Sequence, residues 1–387
     1  MRIAIVSPLV VGLGMSPETY SSQQINLAAR WAEAGHQVDI ITLRGQGLQA
    51  AALRPGVTVH PRPGLLLGRQ GLPLMFGVGD AVRGGGYDFV LASEHYQPAT
   101  AAACMASRAV LIYQGQHWAG SSLKNRLLLR SAEETFGRVS RARCLGVVAK
   151  TSAAAQFVQA RGFRPVQVIP CGYDETRFLP PSGQEREAGR RSLALAPDEH
   201  ALVYAGKLLP VRDVASALRA LAILRQRGRN VRLVVAGQGP EQNALQRDAL
   251  ELGVGDRVSF LGVLPWRRLR QVFWAGDAFL FPSRYEIFGL VLLEAMACGL
   301  PVVSTPVGGA ADLIHDGSNG FLVPIGDPAA MAAAVERVLA NPAVAAGLRE
   351  TASNLAAEHT WTIVAWKMAD YAASRLAAPR SARGSAA

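Results

Sequence analysis

Short apolar runs alternate with helix-length segments from one end of the chain to the other. Arg2–Val6, Gln37–Thr42, Asp88–Ala92, Val110–Tyr113 and Cys144–Ala149 read as strands of a first series. Between the first two, Ser22 to Ala34 reads as a helix that stops at Gly35. A second series opens at Ala201–Tyr204. It continues through Val231–Ala236, Val258–Leu261, Ala278–Phe281, Pro301–Thr305 and Gly320–Ile325. Its first helix follows Arg212, sets Val214, Leu218 and Leu221 on one face and ends near Gly228. Another spans about Phe288 to Cys298. Strand and helix in strict alternation is the pattern of doubly wound α/β domains with parallel sheets.

Two series imply two domains, and 387 residues is a comfortable length for two. The first series runs out at Ile169–Asp174. The polar, Pro-containing stretch from there to about Arg190 is expected to be the linker. The expected division is residues 1–172, residues 173–360, a last helix at 361–376 and a disordered Ala/Arg/Ser/Gly tail at 377–387. Met1 to Val11 lacks a basic leader and an A-x-A cleavage site, so it reads as a buried strand and not a signal peptide. No run approaches the ~18–20 apolar residues of a membrane span. The four cysteines, Cys104, Cys144, Cys171 and Cys298, are scattered with no C-x-x-C pair. That speaks for a reducing cytoplasm and against a zinc site.

Charge adds a partner question. Of the net +11, residues Met1 to Tyr173 carry 17 Lys/Arg against 8 Asp/Glu, or +9; the remainder carries 23 against 21, or +2. The basic half is expected to face something anionic, whether nucleic acid, a membrane surface or a phosphate-bearing acceptor, or else simply to be solvated; of these partners nucleic acid is not the one expected. Leu123–Arg143 mixes leucines with Lys124, Arg126, Arg130, Arg138, Arg141 and Arg143. It can be a basic helix lying on an anionic bilayer or a core-facing helix with a wet basic side.

The candidate chemistry centres on Glu286 and Glu294, eight residues apart across a turn into a helix. A carboxylate accepts hydrogen bonds from neighbouring hydroxyls, which suits sugar diols. Glu286, before the helix, is placed to reach a sugar. Glu294, about two turns in, is placed to reach a ribose, while N–H groups of the Ile287-Phe288-Gly289 turn meet phosphate. Gly12-Leu13-Gly14 is a tight loop after the first strand, able to bring backbone N–H groups to a diphosphate. Pro17 breaks the dinucleotide fingerprint there, which counts against NAD. Walker A, H-E-x-x-H, G-x-S-x-G and D-x-D motifs are all missing from the sequence. No resident cofactor and no metal are expected.

The segment Glu286 to Pro301, an E-x7-E motif ahead of Ala295-Met296-Ala297-Cys298-Gly299-Leu300-Pro301, resembles the donor signature of the family 4 glycosyltransferases. Gly308–Asp312, Asp316–Val323, Pro170–Asp174, Gly35-His36 and Val235–Pro240, with Gly237 at its turn, are similar to further landmarks of that family. The resemblance implies the GT-B fold, two Rossmann-like domains facing across a cleft, with the nucleotide sugar on the second and the acceptor on the first. It implies retention of configuration and a terminal helix crossing back to the first domain. The family clamps the donor diphosphate with an arginine after a glycine and a lysine five residues on. Here Gly206-Lys207 and Arg212 exchange the two basic types. His117 resembles the family's first-domain histidine facing the transferred sugar, with Glu94-His95 a second candidate. Hexose transfer from a UDP- or GDP-sugar to an acceptor hydroxyl of a glycolipid, polysaccharide or metabolite is the expected activity. A nucleotide-sugar epimerase and an idle nucleotide-sugar or anionic-lipid scaffold are the alternatives. A cytoplasmic protein, possible on the inner face of a membrane, is the expected location.

Overall fold

A computed structural model describes residues 1–8, 22–44, 51–67, 72–115 and 123–378. The chain forms two compact units. The first takes the described residues up to Cys171 together with those from Trp361 onward, and the second takes Gly172–Thr360. Helix Trp361–Ala377 therefore belongs to the first unit, where Trp31 Nε1 donates to the Ala365 carbonyl at 2.8 Å. Residues 379–387, the rest of the expected tail, lie outside the described residues.

The described part of the first unit has ten strands, β1 (Arg2–Val6), β2 (Gln37–Leu43), β3 (Ala51–Arg54), β4 (Val57–Arg62), β5 (Gly64–Leu67), β6 (Leu72–Met75), β7 (Phe89–Ser93), β8 (Val110–Gln114), β9 (Gly146–Ala149) and β10 (Val166–Val168). Eight of them pair in the order β10-β9-β8-β7-β1-β2-β4-β3, all parallel except β3 on β4. β5 and β6 make a separate antiparallel hairpin. The central strands are continuous apolar runs because helices cover both faces, and Ile3–Val6 and Val110–Tyr113 are all buried.

The second sheet is wholly parallel. It contains β11 (His200–Ala205), β12 (Val231–Ala236), β13 (Val258–Gly262), β14 (Ala278–Phe281), β15 (Val302–Ser304) and β16 (Gly320–Leu322), in the order β13-β12-β11-β14-β15-β16. Counted within the unit, that is 3-2-1-4-5-6, the Rossmann order, and the direction of winding reverses between β11 and β14. The helices it carries earn their place by burial: Val214–Gln226 buries Val214, Ala217, Leu218, Leu221 and Leu224 against the sheet.

One sequence expectation is corrected. The stretch to Arg190 is not all linker: Gly183–Ser192 is a helix of the second unit. Ser182 caps it, with its hydroxyl accepting from Glu185 N while Glu185 accepts from Ser182 N. This S-x-x-E capping box is legible in sequence, but the polar surroundings of the segment outweighed it. Arg186 on that helix reaches Asp277 at 2.6 Å, just before β14, and so ties the helix to the sheet.

Candidate active site

In open parallel sheets, ligands sit beyond the carboxyl ends of the strands where the winding reverses. In the second unit that place is the end of β11 and β14, and the loops leaving them carry most of the residues singled out above. Gly206-Lys207 follows β11, Gly237 follows β12, and the turn from Pro282 to Gly289 follows β14. The backbones approach closely there. A Cβ on Gly237, which has φ 141°, would lie 1.9 Å from the Gly206 carbonyl oxygen. No other residue type fits that contact. Leu208 N donates to the Gln238 carbonyl at 3.0 Å, and Arg284 N donates to the Val211 carbonyl at 2.9 Å. The loop from Gly206 to Asp213 is thus pinned between its neighbours on either side.

Pinning brings two sequence candidates together. Arg212 Nη1 donates to a Glu286 carboxylate oxygen and, at 3.2 Å, to the Tyr285 carbonyl. The other Glu286 oxygen accepts from Ile287 N at 2.9 Å. Side chains here are partly open, at 24% for Arg212 and 15% for Glu286, so the pair keeps an exposed side. The spacing of the motif gave no sign of this pairing, because 74 residues separate the partners. Lys207 is exposed and forms no ion pair among the described residues. Its carbonyl is held by the Tyr204 hydroxyl at 3.0 Å, which fixes the backbone and leaves the ammonium to move.

Beyond Glu286 the chain turns into helix Leu290–Ala297 through Gly289, at φ 90° and ψ 66°. A Cβ there would meet the Phe281 ring at 2.9 Å. Phe288 is buried, Ile287 is exposed, and the Phe288 carbonyl accepts from Gly309 N at 2.8 Å. The helix therefore starts with its N–H groups at the same strand edge as Lys207 and Arg212. Glu294 is on this helix and is buried. Burial pushes its carboxyl up to about 7; Arg177 opposes the shift and Asp174 adds to it. Asp174, part of a landmark to which the sequence assigned no role, is paired with Arg177 at 2.9 Å, and the two act on Glu294 with opposite signs. A carboxyl lifted this far accepts from hydroxyls through both oxygens, as a charged group, once it ionises.

Two adjoining family matches cover most of the chain. A family model described as "Glycosyltransferase Family 4" matches residues 23–177, and one described as "Glycosyl transferases group 1" matches residues 185–356. A D-inositol 3-phosphate glycosyltransferase of Stackebrandtia nassauensis is 33% identical over 369 residues, covering 87% of this chain and 82% of that protein. The chain belongs to glycosyltransferase family 4. A Nocardia farcinica protein of the same name is 42% identical over 166 residues, but the match spans 41% of this chain and 36% of that one. A Catenulispora acidiphila relative is matched over 53% of its length.

Solved structures give the fold of this family 4 member as GT-B. The sucrose-phosphate synthase of Thermosynechococcus elongatus superposes with a TM-score of 0.75 at 22% identity, over 98% of this chain and 100% of the other. HepE of Anabaena, solved in complex with UDP and glucose, superposes with a TM-score of 0.74 at 22% identity, over 97% and 100%.

Of the remaining site candidates, Gly12, Gly14 and His117 lie outside the described residues. Glu94 and His95 are described in the first unit, Glu94 half-buried and His95 buried. Among the described residues no group of His, Cys, Asp and Glu is arranged to hold a metal ion. No helix among them is long and apolar enough to cross a membrane.

Proposed function

We propose that the protein transfers a hexose-type sugar from a nucleotide diphosphate, a UDP-sugar in first place, to an acceptor hydroxyl with retention of configuration. The observation that carries this reading is the Arg212–Glu286 pair, set beside Lys207 and the Gly237–Gly206 approach at the reversal point of the second sheet. HepE supplies the argument for uridine, since it was solved with UDP and glucose. Relatives named for D-inositol 3-phosphate supply the argument for a phosphate-bearing polyol acceptor.

In this reading Glu294 holds the ribose, and the Ile287-Phe288-Gly289 turn and the helix start meet the diphosphate. Lys207 and Arg212 stabilise the charge that grows on the leaving group, with no metal and no resident cofactor. Glu286 accepts from the hexose hydroxyls. The C1–O bond to the diphosphate breaks, the acceptor oxygen bonds to C1 on the same face, and the acceptor proton passes to the departing phosphate oxygen.

A thermal-shift panel of nucleotide sugars tests the donor half of the proposal. At 100 times Kd, a true donor raises stability by about 2.7 kcal/mol through mass action. UDP-sugars are expected to raise Tm by several degrees, and a panel in which no nucleotide sugar does so overturns the reading.

Membrane contact is a separate part of the proposal. Helix Leu123–Ala132 exposes Leu123 at 63% and Leu127 at 59%, next to exposed Arg126 and Arg130. Apolar and cationic groups on one exposed helix face suit the surface of an anionic bilayer. The protein is expected to co-sediment with phosphatidylglycerol vesicles at low salt. Leu123→Ser with Leu127→Ser should release most of it, and so should high salt. Equal recovery with neutral phosphatidylcholine vesicles counts against membrane binding of this kind.

A further inference from the structure

Glu94 follows β7, which with β1 marks the reversal point of the first sheet. Its φ is 58°, one of three positive values at non-glycine positions among the described residues. A side chain is disfavoured there, and such a conformation persists where the surroundings over-determine it. Here they do. The carboxylate accepts from Gln114 Nε2 at 2.5 Å and from Gly115 N at 3.1 Å, and Lys150 Nζ stands 3.9 Å away. Gln114 Oε1 in turn accepts from the backbone N and Nδ1 of His95, at 3.0 and 2.8 Å. Lys150 Nζ lies 4.4 Å from the centre of the Tyr113 ring. Glu94, Gln114 and Lys150 thus stand at the carboxyl ends of three adjacent parallel strands, β7, β8 and β9.

A buried ion pair is a poor way to stabilise a fold, because apolar side chains of the same volume often do as well or better. This one is also not sealed: the Glu94 side chain keeps 20% of its surface and Lys150 keeps 10%. An ionised carboxylate only accepts, and an ammonium only donates. Side by side they complement one hydroxyl, whose O–H points at Glu94 and whose oxygen faces Lys150. An anionic ligand would gain from Lys150 and lose as much to Glu94, so a neutral hydroxyl is the better fit.

We propose that Glu94 and Lys150 form a hydroxyl-binding subsite for a polyhydroxylated acceptor on the first unit. The proposal rests on the transfer reading above, and it assigns to these two residues a contact with the acceptor and none with the donor. Burial raises the Glu94 carboxyl and Lys150 opposes the rise, so loss of the ammonium should make Glu94 harder to ionise.

The test compares wild type, Glu94→Gln and Lys150→Met in transfer from a UDP-sugar to D-inositol 3-phosphate and to inositol. Both variants should raise the acceptor KM roughly 10–150-fold while the donor KM and Tm hold. In Lys150→Met the acid limb of kcat/KM for the acceptor should also move to higher pH. An acceptor KM within twofold of wild type in both variants overturns the subsite. So does a parallel rise of donor and acceptor KM with a lower Tm, the mark of a structural role. Wild-type protein that consumes the UDP-sugar but glycosylates neither probe overturns the polyol acceptor reading and the subsite with it. Failure of the subsite alone is visible only in the variants.

Discussion

Arg212→Ala is expected to lower kcat/KM by roughly 10²–10³-fold, with Lys207→Ala in the same range. Both cations stand on the pinned loop at the strand edge where a leaving diphosphate would gather charge, whereas the neighbouring Arg284 is engaged by Asp213 at 3.0 Å. Arg212 carries a second consequence that Lys207 does not. Its Nη1 holds the Glu286 carboxylate, so removing the guanidinium also frees the group assigned to the sugar. The two losses should not add. Arg212→Ala combined with Glu286→Ala is expected to cost clearly less than the product of the single effects, because the second change removes a contact already broken. Lys207→Ala with Glu286→Ala should come close to the product. Steady-state kinetics on the three single and two double variants decides it, and near-normal turnover in both single cation variants removes the proposed phosphate site. Activity should also survive EDTA; inhibition that Mg²⁺ or Mn²⁺ reverses would contradict the metal-free proposal.

Glu294→Ala should weaken UDP and UDP-sugar binding alike, by roughly 10–150-fold for a lost charged hydrogen bond. Glu286→Ala should leave UDP binding intact and cut transfer. Calorimetry with UDP alone, beside a transfer assay, separates the two. The raised carboxyl of Glu294 adds a pH signature. The group is protonated below about 7 and ionised above it. Ribose hydroxyls donate to the ionised form, so UDP affinity should climb as pH rises towards 7 and then level off. Glu294→Gln should flatten that profile. If both variants lose Tm and all binding together, the carboxylates are structural. The reverse asymmetry, with UDP binding lost in Glu286→Ala and kept in Glu294→Ala, would mean that the donor has been placed the wrong way round.

Much of the second unit was legible before any coordinates. β11, β12, β13 and β14 coincide with apolar runs to within a residue or two; the inner three are buried on both faces and so mostly apolar, while β13 is a half-buried edge strand. The short pieces were not legible. β3, β4, β5 and β6 fall in a region where Pro, Gly and Arg interrupt every run, and no period survives long enough to read. Helix Gly183–Ser192 shows the opposite failure: its cap was written in the sequence, but a single buried residue, Gly189, gave its apolar face nothing to announce.

The sequence by itself determined the alternation of elements, the two series and the motif that sets Glu286 and Glu294 around one helix start. These are local facts, carried by spacing along a few turns of chain. It was the tertiary structure that decided which loops meet. Parallel strands bring together residues that are far apart in the chain, and the winding order alone settles which strand ends become neighbours. So Arg212 lies on Glu286 across 74 residues, and Asp174 and Arg177 sit near Glu294. Glu94, Gln114 and Lys150 close one network from the ends of three strands. Burial decided the rest. A glutamate on a helix has an ordinary carboxyl in sequence, and it is burial, with Asp174 adding, that lifts Glu294 to about 7.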